Sequence, residues 1–216
     1  GELEALACED TRRTRILLDH YHIPRPKRFF SYHEHNEREA AARVLRLLAE
    51  GTAVGLVTRA GYPGVSDPGY RAISRAAERG FRVEVLPGAG AVESALAASG
   101  LPGASFTFKG FAPRRAGKRR KFLEMEKDLP HTLILFESPR RLGALLADAL
   151  AALGDRKAAV CIEMTKMFEQ IARGYLSDLA EDFREPALKG EVTVVIAGNN
   201  PKFIKREEET EGDGRS

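Results

Sequence analysis

The chain places its chemistry-bearing residues just after short apolar runs. Glu9 and Asp10 stand in CEDTR, His33 and His35 in HEHNE, Glu137 in ESPRR, and Glu163 and Lys166 in EMTK. Carboxylates and imidazoles can move protons, and a lysine whose pKa is lowered by burial can act as a base. His33 and His35 alternate and so share one face, but they lack a third ligand, and no metal site is expected. A different chemistry is suggested by TRAGYPGVSDPGY, Thr58 to Tyr70, with three glycines and two prolines in thirteen residues. Glycines let backbone approach a ligand, and prolines stiffen the loop. Gly64 to Gly69 fits G-x-x-x-x-G, yet Tyr70 and Arg71 stand where a P-loop needs Lys and Ser/Thr. Gly88-Ala89-Gly90 supplies only half of G-x-G-x-x-G. Neither phosphate cradle is complete, so the loop reads as a rigid backbone wall against a small organic ligand.

Strands and helices must hold these residues in place. Period-2 or short apolar runs predict strands at 5–8, 28–32, 52–58, 82–86, 105–110, 132–137, 157–163, 170–176 and 191–197. Helical periodicity predicts helices over 37–50, 69–79, 91–99, 117–128, 139–153 and 177–184. Asn36 with Glu39 forms a capping box, and Asp67-Pro68 and Ser138-Pro139 are helix starts. Strand–helix alternation argues for an α/β protein, with ligands outside the carboxyl ends of the strands. SGLPGAS (99–105) is the expected linker. It would divide the chain into an N-terminal α/β domain over 1–102, a C-terminal one over 103–200, and a disordered tail over 201–216.

Charge is uneven. The net charge is only +3, but RRAGKRRK (Arg114 to Lys121) has six basic residues in eight, and Arg12, Arg13 and Arg15 form a second group. A solvated helix face or a phosphate-binding surface would both use such a run. Phe106, Phe108 and Phe122 have the spacing of core residues. No apolar run approaches the roughly 20 residues needed to span a bilayer. Cys8 and Cys161 are isolated thiols, which favours a reducing, cytoplasmic setting.

In order along the chain, CEDTRRT, HEHNE, AGYPGVSDPG, LPGAGAVESALAASGLP, FKGFAPRRAGKRRK, FESPRRL, EMTKMFEQIARG and KGEV resemble the 16S rRNA (cytidine-2′-O)-methyltransferases. These are tetrapyrrole-methylase-like, class III AdoMet methyltransferases. The resemblance covers residues 5 to 198. It implies two α/β/α domains with mainly parallel or mixed sheets and S-adenosyl-L-methionine (AdoMet) folded between them. It also implies a 16S rRNA substrate in the 30S subunit, a homodimer and no membrane.

The resemblance places AdoMet against Gly61, Tyr62, Pro63, Ser66, Asp67, Gly88, Ala89, Ala91 and Thr165. The implied reaction is in-line attack of a ribose 2′-oxygen on the AdoMet methyl carbon, for which positioning matters most. Lys166 with Glu163, and Glu137 nearby, are the expected catalytic groups; a structural salt bridge is the alternative. RNA phosphates would meet Arg12, Arg114, Arg115, Lys118, Arg119, Arg120 and Lys121. Three departures stand out. Thr58-Arg59-Ala60-Gly61-Tyr62-Pro63 replaces the family's Ser-Asp-Ala-Gly-Thr-Pro, the family's first strand and its loop have no counterpart here, and a C-terminal segment of longer members is missing. A tetrapyrrole methylase and a non-catalytic RNA-binding protein of the same fold therefore remain open alternatives.

Overall fold

Ala5–Cys8 (β1) is wholly buried at the centre of a parallel sheet, between Arg28–Ser31 (β2) and Val54–Val57 (β3). The pairing sets Ala7 beside Phe30 and Leu56. Parallel neighbours require crossovers. Thr11–His20 (α1) makes the first and Glu37–Ala49 (α2) the second. Ala40, Ala41, Val44 and Leu47 on α2 pack on Ala5, Ala7, Phe30 and Tyr32, with Ala72 of Tyr70–Glu78 (α3). By contrast α1 buries no residue; Ile16 and Leu17 are exposed, as is Tyr21 just beyond it. This computed structural model describes residues 3–185 and 189–205.

These elements belong to one unit, Gly1–Gly90, and the remainder forms a second, Ala91–Ser216. Ala91–Ser99 (α4) thus belongs to the second unit, and SGLPGAS lies inside it, between α4 and Phe106–Phe111 (β4). The second sheet continues with Thr132–Glu137 (β5), Lys157–Ile162 (β6), Gln170–Tyr175 (β7) and Val192–Ile196 (β8), in the order β4-β5-β8-β6-β7. Only β4 and β5 are parallel neighbours; the other three pairings are antiparallel. Period-2 alternation sends successive residues to opposite faces. Leu133 and Leu135, with Val194 and Val160, pack under Ala116–Glu124 (α5), Leu142–Leu153 (α6) and Leu176–Asp182 (α7). Ile134, Ala159, Cys161 and Val195 meet Val92, Ala95 and Leu96 of α4 on the other face. The unit is a three-layer α/β/α sandwich with a mixed sheet.

Two expectations need correction. Residues 82–86 do not form a strand. Their alternation is strand-like, but the sheet ends at β3, and Val83, Val85 and Leu86 are 44%, 66% and 80% exposed. A strand is defined by a hydrogen-bonded neighbour, and sequence pattern alone cannot supply one. Residues 201–205 are ordered rather than tail. Asn200 Oδ1 accepts from the Lys202 N–H (3.0 Å) to start a 3₁₀ turn over Pro201–Phe203, and Ile204 bridges Arg156. The rest of the expected tail, 206–216, lies outside the described residues.

One ion triad, built on a buried Arg119–Asp148 pair with Arg120 at its exposed side, fastens α5 to α6. Asp148 sits on the buried face of α6 and accepts from Arg119 Nε (2.8 Å) and Arg120 Nε (2.7 Å). The Arg119 and Asp148 side chains are only 7% and 6% exposed. Breaking one side of a buried pair strands the other charge away from water. Asp148→Ala should therefore lower the unfolding free energy by about 3–5 kcal/mol in urea denaturation. A loss below about 1 kcal/mol, the range of exposed pairs, would mean that water solvates Arg119.

Candidate cofactor and RNA sites

At the carboxyl edge of the first sheet, the chain after β1 is tied to the chain after β3. The Glu9 N–H donates to Val57 O (3.0 Å), continuing the ladder. The Glu9 carboxylate then accepts from the Arg59 backbone N–H (3.0 Å) and from Arg59 Nε (2.8 Å), with the second guanidinium nitrogen also at 2.8 Å. Both guanidinium nitrogens converge on Oε1 while Oε2 takes the backbone N–H, so the carboxylate ties the two loops together. Asp10 is the N-cap of α1 and accepts from the N–H groups of Arg12 (2.9 Å) and Arg13 (3.2 Å). The Arg13 N–H, above all, lowers its pKa. Both carboxylates are already engaged by N–H groups of the chain.

The glycine loop is held at both ends. Glu37 Oε1 accepts from the backbone N–H groups of Gly69 (3.2 Å) and Arg71 (3.4 Å), while Tyr32 Oη donates to it (3.3 Å). Gly69 has φ 147°, and a Cβ there would lie 2.8 Å from Gly64 N, so no larger residue fits. At the loop's other end Tyr62 Oη accepts from the Gly88 N–H (2.9 Å) and donates to Gly88 O (3.0 Å). Tyr62 thereby brings together the two backbone stretches expected to face AdoMet, Gly61–Asp67 and Gly88–Ala89. Pro63 and Asp67 are half-buried, Ser66 is exposed with φ 57°, and Ala91 opens α4 in the second unit. In front of Gly61 and Gly88 the space is open, since a Cβ at either would meet nothing within 4 Å. Open backbone without a phosphate cradle fits an organic cofactor that carries no phosphate.

In the second unit the carboxyl ends of β4, β5 and β6 and the amino ends of β7 and β8 share one edge. Glu137 ends β5 there with a side chain that is 0% exposed. It accepts from Arg141 Nε (2.7 Å) and from the Ser138 N–H (2.7 Å), and Arg141 also donates to Ala112 O (2.8 Å). Glu137 is thus a structural clamp rather than an open catalytic carboxylate. The β6–β7 turn carries Glu163, Thr165 and Lys166. Lys166 Nζ lies 2.8 Å from Glu163 Oε1 and 3.0 Å from Glu191 Oε2, with 44% of the lysine side chain exposed. The Glu163 hydrogen bond raises the lysine pKa, and the same contact lowers that of Glu163. A neutral, burial-activated Lys166 is not what the structure contains; the residue is a fixed cation. Gly190 is required beside it, because φ is 99° and a Cβ would stand 2.2 Å from Glu163 Oε1. Thr165, at φ 64°, donates its N–H to Glu169 Oε2 (2.5 Å).

Of the expected phosphate-binding residues, Arg12, Arg114, Arg115, Lys118 and Lys121 are exposed, but Arg119 is buried against Asp148 and Arg120 shares that carboxylate. Arg119 therefore does not belong to a phosphate-binding face. Sequence reasoning does not single out Asp148 or Arg141. A signal for Asp148 does exist: LGALLADALAAL places one carboxylate on an otherwise apolar helix, where it needs a cation.

The fold and these strand-end loops define an α/β methylase architecture. The chain belongs to the tetrapyrrole (corrin/porphyrin) methylase family, whose sequence model matches residues 1–180. Within it, the chain is similar to ribosomal RNA small subunit methyltransferase I of Halalkalibacterium halodurans, 43% identical over 206 residues, covering 95% of this chain and 71% of that protein. The protein of the same name from Mesorhizobium japonicum is 47% identical over 195 residues, covering 89% of this chain and 66% of its own length. Among solved structures, a uroporphyrin-III C-methyltransferase from Thermus thermophilus, complexed with S-adenosylhomocysteine, shares the fold at TM-score 0.58 and 20% identity, over 90% of this chain and 85% of that one.

Lys166→Met tests the turn. Without the ammonium, the Glu163 pKa should rise toward the ordinary carboxylate value, as side-chain carbon NMR would record. A lowered pKa stabilises the fold only above the unfolded value, and that gain disappears as pH falls through the folded one. The stability difference between wild type and variant should therefore vanish in acid. An unmoved Glu163 titration would assign the shift to the Glu191 N–H, which also donates to it (2.8 Å).

Proposed function

We propose that the chain is an AdoMet-dependent methyltransferase that modifies a cytidine ribose 2′-oxygen of 16S rRNA in the 30S subunit. The observation that carries this reading is the 43% identity to a ribosomal RNA small subunit methyltransferase I across 206 residues. It is supported by the motif series from CEDTR to KGEV, whose members fall in strand-end loops or their flanks, except LPGAGAVESALAASGLP, which leads into and through α4. The cofactor would be held by backbone at Gly61 to Asp67 and Gly88 to Ala89 of the first unit. AdoMet supplies a methyl group activated by a sulfonium and carries no phosphate, which accounts for the two incomplete phosphate-loop motifs at Gly64–Gly69 and Gly88–Gly90.

The chain's own residues have separable tasks in this reading. Tyr62 and Glu37 keep the glycine wall in shape. Lys166, held charged by Glu163 and Glu191, would offer fixed positive charge to the 2′-oxygen as its proton passes to solvent water, the methyl group passes to that oxygen and S-adenosylhomocysteine leaves. Arg12, Arg114, Arg115, Lys118 and Lys121 bind phosphates, while Arg119 and Arg120 brace the helix that follows Arg114 and Arg115 and carries Lys118 and Lys121.

Methyl transfer from labelled AdoMet to 30S subunits lacking this modification tests the reading. Incorporation at one cytidine ribose is expected; labelling of a tetrapyrrole with none in 30S subunits would move the chain to the other branch of its family. Replacing Arg114, Arg115, Lys118 and Lys121 by Ala should weaken RNA binding and flatten its salt dependence by about 0.7–0.9 log units for each phosphate no longer neutralised. An unchanged slope would leave the run as a solvated face.

A homodimer and a cytoplasmic location belong to the same reading. Among the described residues no helix is long and apolar enough to cross a membrane. The exposed apolar residues Ile16 (69%), Leu17 (56%) and Tyr21 (63%) offer a second copy a surface to cover. Sedimentation should show a dimer that Leu17→Glu weakens; a wild-type monomer at all concentrations would remove the dimer from the reading.

A further inference from the structure

The edge of the second sheet carries two large aromatic residues that the fold does not use. Phe111, at the end of β4, is 59% exposed, and Phe168, in the β6–β7 turn, is 73% exposed beside Met167 at 90%. Each is presented by an ordered support. Phe111 leans on Phe136, ring centroids 5.8 Å apart. The Phe168 turn is closed by Lys166 N–H to Glu163 O (3.0 Å) and Glu169 N–H to Lys166 O (3.1 Å). Glu163 and Thr165, at φ 49° and 64°, take a left-handed conformation that few non-glycine residues adopt.

Charge at this edge is sorted in the same sense. Its carboxylates are matched within the unit: Glu137 by Arg141, Glu163 and Glu191 by Lys166, and Glu169 by the Thr165 N–H. Arg114, Arg115 and Arg140 are exposed there, and among the described residues no carboxylate lies within 4.0 Å of them. The uncompensated charge is therefore positive, next to two exposed rings.

Resting on the proposed RNA substrate, we infer that Phe111 and Phe168 form a two-point stacking site for unpaired bases of that RNA, with the nearby arginines on its phosphates. Aromatic platforms beside cations bind single strands, because every base offers a π face and every phosphate a charge. A duplex keeps its bases stacked internally and cannot use such a platform. Three strand steps separate β4 from β6 in the sheet order. At ~4.8 Å per step this is about 14 Å, the length of roughly four stacked nucleotides at about 3.4 Å each. The site thus reads a short stretch of exposed strand rather than one base.

The chain contains no tryptophan, so Phe111→Trp and Phe168→Trp each install a single fluorophore. Titrating either with an eight-nucleotide oligocytidylate should quench it, and an RNA duplex of equal length should have far less effect. Phe111→Ala and Phe168→Ala should each weaken oligocytidylate binding by roughly 5- to 150-fold, the range for one stacked base, with the thermal midpoint unchanged. If wild type binds the oligonucleotide and both alanine variants bind it equally well, the stacking site is refuted while the methyltransferase reading stands. Quenching of Phe168→Trp by AdoMet without RNA would give that ring to the cofactor. A shift in sedimentation of Phe168→Ala with intact RNA binding would give it to a second copy, and either result overturns the inference. Failure of wild type both to bind RNA and to methylate 30S subunits would overturn the underlying reading as well.

Discussion

A carboxylate with no access to water organises the working edge of the second unit. Glu137 ends a strand whose preceding residues are almost all buried, and its charge is tolerable only because Arg141 and the Ser138 N–H satisfy it. Arg141 in turn reaches the carbonyl of Ala112, just beyond β4. One guanidinium therefore fixes the ends of two neighbouring strands and sets where Phe111, Arg114 and Arg115 can stand. Removing either partner would leave the other buried and uncompensated, so the motif ESPRR is architecture before it is chemistry.

The same logic recurs at Asp148, which gathers Arg119 and Arg120 beneath the basic helix. Together these clamps separate two populations of cation that look alike in the sequence. Some arginines are used inside the fold. Others, including Arg114, Arg115 and Arg140, are left to the surface by exclusion. A basic run is thus not one surface. Helical periodicity divides it, and a single acidic residue on the facing helix decides which members turn inward.

Much of the fold was legible in the sequence because strand and helix periods are local. Eight of the nine expected strands formed, and α2, α3 and α4 appeared within a residue or two of their expected bounds. The stretch at 82–86 was not legible, since pairing depends on what lies alongside it. For the candidate site, Asp67-Pro68, Glu163 and Lys166 stand out by their motifs, and their roles are what the family resemblance implies. The state of Lys166 could not be read in the same way. Its raised pKa comes first from Glu163, a pairing the motif itself offers, and further from Glu191, twenty-five residues away in the chain and 3.0 Å away in space, which no motif announces. Tyr62 and Arg59, which replace smaller or opposite residues of the family pattern, proved to have partners in Gly88 and Glu9. Such compensation joins residues twenty-six and fifty positions apart and leaves no local trace in the sequence.

The first sheet ends in an apolar strand, Val54-Gly55-Leu56-Val57, whose outer row of amides and carbonyls has no strand beside it among the described residues. Natural edge strands are commonly guarded by lysine, proline or a bulge, and β3 has none of these. Such an edge is a template for recruiting other extended chain, whether from the same molecule or from a neighbour.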